Sequence, residues 1–245
     1  MPVSSREVLT DRIHRIENLR VSAASDDVYD DERYQEALSQ TVDVLAEQEI
    51  DSSEDWRQAG ICHLHLMAAT IQQSRAKHTL QSDEDIIEAV DDAKTHLEKA
   101  LPIGERLTEK GYLQTVDNTP FIWSSELNRG IGRILMRHPQ SETKDFETAE
   151  KHFRQAQEAG LEVYQNEIDS GELCGAGLMV SATARVEALM ARKKTFESSG
   201  KNWDKKEHYL EILKAGAELE IAEKYFEYVN ADRRNETLRR IYQEL

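Results

Sequence analysis

Few residues in this chain have the types and spacing that chemistry needs. Cys62-His63-Leu64-His65, with Met67 close by, offers thiol, imidazole and thioether donors of the kind that hold zinc or copper. On a helix only Cys62 with His65, or His63 with Met67, share a face. A structural zinc site wants four convergent ligands, and no second cluster supplies the rest. The expectation is therefore no metal and no cofactor, with the two histidines as packing or groove residues. Gly130-Ile131-Gly132 and Gly175-Ala176-Gly177 are dense enough for a phosphate loop, but no strand precedes them, so close helix packing is their expected use. H-E-x-x-H, G-x-S-x-G, P-loop, G-x-G-x-x-G and Glu-x-x-His patterns are missing, and the chain reads as no enzyme.

The sharper feature is basic. Arg129, Arg133 and Arg137 recur at i, i+4 and i+8, with Asn128 beside them. At 100° per residue this stripe is centred about 120° from the apolar face of Trp123, Leu127, Ile131 and Ile134. Arg185 and Arg192, seven apart, share a face of a later helix, followed by Lys193 and Lys194 and opposed there by Glu187 alone. Guanidinium forks suit carboxylate and phosphate groups. The other reading is internal pairing, with Glu142, Glu147, Glu150 or Glu167 as partners, or ordinary solvated faces.

These side chains must be carried by long elements. The 245 residues are 39% hydrophobic and 32% charged, with 11 glycines and 4 prolines. So thin an apolar content builds a core from helical stripes, and so few turn formers exclude an all-β fold. No apolar run approaches the ~18 residues of a membrane span. The start, Met1-Pro2-Val3-Ser4-Ser5-Arg6-Glu7, reads straight into a helix and not as a secretory signal. Two cysteines, Cys62 and Cys174, make no disulfide framework and fit a reducing, cytoplasmic setting as small buried hydrophobes. A net charge of −16 excludes general nucleic-acid binding and disfavours anionic membrane surfaces. Residues 21–55 hold 12 acids against the single base Arg33. That segment is either a solvated surface or a docking face for a basic partner.

Helix starts are legible. Ser4-x-x-Glu7 is a capping box before Leu9, Ile13 and Ile16. Asp30 or Asp31 opens a second helix, Glu54 a third, and Ser82 with Asp85 a fourth that carries Pro102 near its end. Thr119-Pro120 starts the fifth, Asp145 caps the sixth, and the seventh covers roughly 173–197 and stops at Ser198-Ser199-Gly200. An eighth follows Asn202, and a short ninth ends near Leu245.

Three of these helices share a register. Ala37, Thr41 and Val44 align with Ala93, Leu97 and Ala100, and with Ala149, Phe153 and Ala156, at a spacing of 56 both times. Leu219, Ala222, Phe226 and Val229 make a fourth copy after a longer gap. Positions i, i+4 and i+7 lie on one helical face, where small residues admit a neighbouring helix and the larger one fills the gap beside it.

On these residues the chain resembles the tetratricopeptide-repeat (TPR) family. The A-x3-F-x2-A of that family's second helix is matched by Ala149, Phe153 and Ala156, and by Ala93, Leu97 and Ala100. The W-x2-L-G-x2-Y of its first helix is matched loosely by Trp56, Ala59, Gly60 and His63. The usual repeat is 34 residues, not 56, and the fifth and seventh helices lack the W…G…Y pattern, so the resemblance is to a divergent array. It implies an all-α, right-handed solenoid of helical hairpins with eight to nine helices. Residues 1–245 would form one helical-repeat domain, with second helices near 31–50, 83–108, 145–168 and 204–229. It also implies that the third, fifth and seventh helices line a concave groove. Arg129, Arg133, Arg137, Arg185, Arg192 and Asn128 would then bind a peptide or partner protein, acidic or carboxylate-bearing, and the protein would be an interaction scaffold. Two alternatives stand beside this: a small-ligand sensor or enzyme with a pocket between helices, and capture of a basic partner by residues 21–55.

Overall fold

In a computed structural model of the chain, residues 5–25, 28–48, 54–119, 121–170, 176–204 and 206–225 are described. They are all-α apart from one two-residue antiparallel pairing, β1 (Ala24–Ser25) with β2 (Val28–Tyr29). The helices are α1 (Arg6–Ser22), α2 (Asp31–Gln48), α3 (Asp55–His78), α4 (Asp83–Glu109), α5 (Trp123–Arg137), α6 (Thr143–Ser170), α7 (Ala176–Ser198) and α8 (Tyr209–Tyr225). The fourth copy's Phe226 and Val229, the ninth helix, Cys174 and Gly175 lie outside the described residues.

Local chemistry explains most boundaries. The Ser5 hydroxyl, one residue after the expected cap, accepts from Val8 N and starts α1. Ser82 Oγ accepts from Asp85 N at 3.1 Å and starts α4. At the other end of α4, Gly111 takes a φ of +70°, open to it without Cβ strain, and Tyr112 N reaches back to the Leu107 carbonyl. Gly200 closes α7 in the same way. Pro102 sits exposed inside α4, toward its end, and the helix continues to Glu109. One expectation is corrected. Thr119 does not start α5. It folds back on itself, with its N–H donating to Thr115 Oγ1 and Asp117 Oδ1 and its carbonyl accepting from Thr115 N, and the helix begins at Trp123.

The chain divides into two compact units, Met1–Leu127 and Asn128–Leu245, with the division inside α5. In the first, α3 packs on α4 and α2, and α1 packs on both α2 and α3. Its core joins Leu9, Ile13, Ile16, Tyr34, Val44, Leu64 and Ile71. Gly60 of α3 lies close against α1. A Cβ there would lie 2.5 Å from Leu9 Cδ2. In the second unit α6 packs along α7 and α7 along α8, around Leu178, Met179, Val186, Leu189 and Ile212. The α6–α7 crossing is backbone on backbone: a Cβ on Gly177 would stand 2.5 Å from the Gly160 carbonyl oxygen and 2.5 Å from Tyr164 N. Likewise, a Cβ on Gly132 of α5 would meet the Phe153 ring at 2.7 Å, so these glycines serve packing.

All nine residues of the three-copy register are buried: Ala37, Thr41 and Val44; Ala93, Leu97 and Ala100; Ala149, Phe153 and Ala156. The helical faces read from the 56-residue spacing are the faces that pack.

Candidate functional site

The arginine stripes lie in the second unit, and their helices position them as the periodicity predicts. On α5, Ile131 and Ile134 are buried. One turn apart, Arg129 and Arg133 then reach the same carboxylate on α7. Arg129 Nε donates to Glu187 Oε2 at 2.8 Å, and Arg133 Nε donates to Glu187 Oε1 at 2.6 Å. Burial pushes the Glu187 carboxyl up. The two guanidiniums, by charge and hydrogen bond, more than offset that and hold it below the ordinary carboxylate range.

The stripe on α7 is used in the same manner. Arg185 Nη2 donates to Glu218 of α8 at 2.6 Å. Arg192 Nη2 donates to Glu150 of α6 at 2.5 Å. Arg154 of α6 reaches Glu211 of α8 at 2.8 Å and lies 3.7 Å from Glu150, so α6, α7 and α8 are laced by alternating charges. Lys194 Nζ donates to the Met136 carbonyl at the end of α5. Asn128 is buried, with its Oδ1 2.8 Å from His152 Nδ1.

Four of the five arginines expected to line a groove therefore face carboxylates from neighbouring helices. Arg129 is only 8% exposed, which corrects the expectation that it stands partly open. The Arg185 side chain is 12% exposed, against 28% for Arg192 and 37% for Arg133. Arg137, at the last turn of α5, is exposed. Sequence reasoning named Glu150 as one candidate partner and saw Glu187 only as a lone acid; it missed Glu211 and Glu218. The signal for Glu187 was there. A single acid among the arginines of an apolar helix has to be placed where cations need it, because an unpaired buried carboxylate is costly.

Two open concavities carry charge. One of about 590 Å³ runs beside α6 and is lined by Glu147, Glu150, Lys151, Arg154, Gln155 and Glu158. The other, about 400 Å³ in the first unit, is bordered by Asp31, Asp85, Glu88 and Asp92, with Arg75 as its cation. Here the acidic 21–55 segment meets bases from elsewhere in the chain. Arg75 holds Asp31 at 2.9 Å, and with Thr79 and Gln35 it draws that carboxyl down to about 2. Arg12 binds Glu47 at 2.6 Å and Lys110 binds Asp55 at 2.7 Å.

The Cys62–His65 cluster splits three ways. The Cys62 thiol, buried, donates to the Ala100 carbonyl at 3.6 Å, and burial pushes its pKa far up. His63 lies near Trp123, with ring centroids 6.5 Å apart. His65 places Nδ1 2.9 Å from Nδ1 of His96 on α4. Burial, then the His96 and Lys99 charges, lowers His65 to about 4. A pair of neutral imidazoles shares one proton between those nitrogens, one donating and one accepting. Among the described residues, no three His, Cys, Asp or Glu side chains converge as a metal site. No helix among them is long and apolar enough to cross a membrane. No protein-family model, curated protein or solved structure matches this chain.

Proposed function

We propose that the protein is a non-enzymatic, cofactor-free interaction module of the cytoplasm: a TPR-like, right-handed array of helical hairpins that binds a peptide or partner protein. One observation carries this reading. The same small–large–small face is buried at Ala37/Thr41/Val44, Ala93/Leu97/Ala100 and Ala149/Phe153/Ala156. Helical hairpins that repeat one packing face stack side by side and present extended surfaces, and binding is the common use of such surfaces. That step is an analogy of architecture. The open, charge-lined concavities fit it better than they fit an enzyme, which needs an enclosed pocket with convergent reactive groups.

On this reading the partner is acidic or carboxylate-bearing, and Arg133, Arg137 and Arg192 meet it because they keep exposed surface. Arg129, Arg185 and Asn128, more deeply placed, hold the helices that carry them. A second reading draws on the groove of the first unit, where four carboxylates face one guanidinium and a basic partner would be favoured.

Site-specific photo-crosslinking in cells separates the two. A crosslinker replacing Arg137 should capture a defined protein partner, and one replacing Glu88 should not. Capture from Glu88 alone moves the site to the acidic groove. Failure at both positions, or turnover of a small molecule by the purified chain, ends the interaction reading.

A further inference from the structure

The basic stripe of α7 and the carboxylates that meet it share one spacing. Arg185 and Arg192 stand seven apart on α7. Their partners on α8, Glu218 and Glu211, are seven apart as well, in the reverse order. Arg185 Nη2 donates to Glu218 Oε1 at 2.6 Å, and Arg192 Nη1 lies 3.9 Å from Glu211 Oε1. Arg154 of α6 donates to Glu211 Oε2 at 2.8 Å. Burial pushes the Glu211 carboxyl up. The Arg154 hydrogen bond and charge, with the charges of Arg192 and Arg185, outweigh that and hold it below its ordinary range. Two carboxylates two turns apart on one helix thus fit the stripe across from them.

Among the described residues, α8 has little else to hold it. Ile212 and Ala215 are its buried side chains, whereas its larger apolar residues Leu210, Leu213 and Ile221 are exposed. Gly216 sits in mid-helix, where it weakens α8 relative to alanine. Glu211 and Glu218 keep some exposed surface, so salt reaches their pairs. By contrast, α6 and α7 meet backbone on backbone at Gly160 and Gly177. Just before α8, His208 stacks on Trp203 at 3.8 Å, and Phe196 of α7 meets both edge-on, which ties the start of α8 to α7. If the rest of α8 lifts, Arg192 keeps Glu150 at 2.5 Å and Arg154 still has Glu150 at 3.7 Å. Arg185 loses its carboxylate and is left in need of another.

We propose that α8 is an internal stand-in for the partner: Glu211 and Glu218 occupy the arginines of the α6–α7 hairpin, and an acidic amphipathic helix with carboxylates seven apart binds there by displacing α8. The proposal rests on the acidic-partner reading above, and adds the shape of that partner and the contact that holds the site closed. Arg185 secures α8 while it is docked and meets the partner once it leaves. The segment Glu211-Ile212-x-x-Ala215-x-x-Glu218 is then the pattern a partner helix has to imitate.

A dye-labelled peptide of residues 209–225 is the probe, and the full-length chain is the receptor. Glu211→Gln with Glu218→Gln loosens α8 and leaves the arginines intact. Amides of α8 should then exchange at least tenfold faster while α6 and α7 stay protected. The peptide should bind this variant at least tenfold more tightly than the wild type, because α8 in cis competes at an effective concentration on the order of millimolar. Arg185→Gln with Arg192→Gln in the same background, or glutamine at both carboxylate positions of the peptide, should abolish binding. Equal binding to wild type and variant would mean that nothing covers the stripe, and would overturn the proposal while the acidic-partner reading stands. Exchange that stays slow in α8, or rises in α6 and α7 along with it, would make α8 part of the core and overturn the proposal too. A released α8 with no peptide bound would overturn the proposal and the acidic-partner reading together.

Discussion

The α3–α4 pair and the α6–α7 pair solve the same problem with different chemistry. Both are long antiparallel helices that bury polar side chains. Between α3 and α4 the buried contacts include no ion pair among the described residues: His65 stands against His96, near the Cys62 thiol on the Ala100 carbonyl, and Gln72 donates to Asp92 Oδ2 at 3.1 Å. Around α6 and α7 the contacts are ionic, with Glu187 between Arg129 and Arg133, and Glu150 between Arg192 and Arg154. The helices also approach differently. Gly60 of α3 makes room for a leucine tip, whereas Gly177 of α7 makes room for the main chain of α6. A neutral pair is upset by gaining a proton, and an ion pair by losing a partner. The two units should therefore fail under different insults.

The largest effect should come from removing the shared carboxylate. Glu187→Leu leaves Arg129 and Arg133 without their anion, and stranding buried charge costs about 3–5 kcal/mol. Denaturant melts followed by segment-resolved hydrogen exchange should show the second unit opening first, with α3 and α4 unchanged. A loss under about 1 kcal/mol would mean the lattice is ornamental at the surface, as many exposed pairs are.

Acid should do the reverse. His65 stays neutral in the fold down to about 4, from an ordinary 6.5. Below 6.5 the unfolded chain takes up a proton that the folded chain refuses. This contribution is complete above pH 6.5 and drains as pH falls toward 4, by about 1.4 kcal/mol per pH unit within that window. His96 is shifted the same way by burial. Glu187, held below its ordinary value of 4.5, keeps its contribution until pH drops under that value and through its native one. Exchange at pH 7, 5 and 3.5 should thus show α3–α4 loosening at pH 5 while α6–α7 holds. His96→Gln should flatten the first unit's slope. Simultaneous loosening at pH 5 would erase the distinction.

Smaller still is the contrast between glycines. Gly177→Ala forces apart two backbones and should cost about 1–3 kcal/mol. Gly60→Ala meets side chains and no backbone, Leu9 Cδ2 at 2.5 Å and Val116 Cγ1 at 3.3 Å, which can shift, and should cost less than about 1 kcal/mol. Paired urea midpoints check both, and equal losses would show that the α6–α7 crossing has more give than its contacts indicate.

Much of the fold was written in local signals. Ser82 capped α4 as its hydroxyl and spacing foretold, and the Ala-centred faces were buried in all three described copies. Thr119 misled because a hydroxyl before proline serves a turn as well as a helix cap, and Asp117 nearby made the turn the better satisfied state. Pro102 is tolerated inside α4 because the helix is long and packed on its other face, with the ring on the solvent side. At the candidate site, periodicity placed the arginines but not their anions. Pairing across 33 to 58 residues of sequence is a tertiary fact, and with 47 carboxylates no local rule selects Glu187, Glu218 and Glu150.

The contact of Gly160 with Gly177 also bears on how this chain can change over generations. What stands in the way of a side chain at position 177 is the carbonyl oxygen of Gly160 and the amide of Tyr164, atoms that every amino acid possesses. No replacement at either neighbour can clear them. A mutation at Gly177 thus has no compensating partner at those positions, and descendants of this sequence should keep that glycine or re-space the two helices altogether.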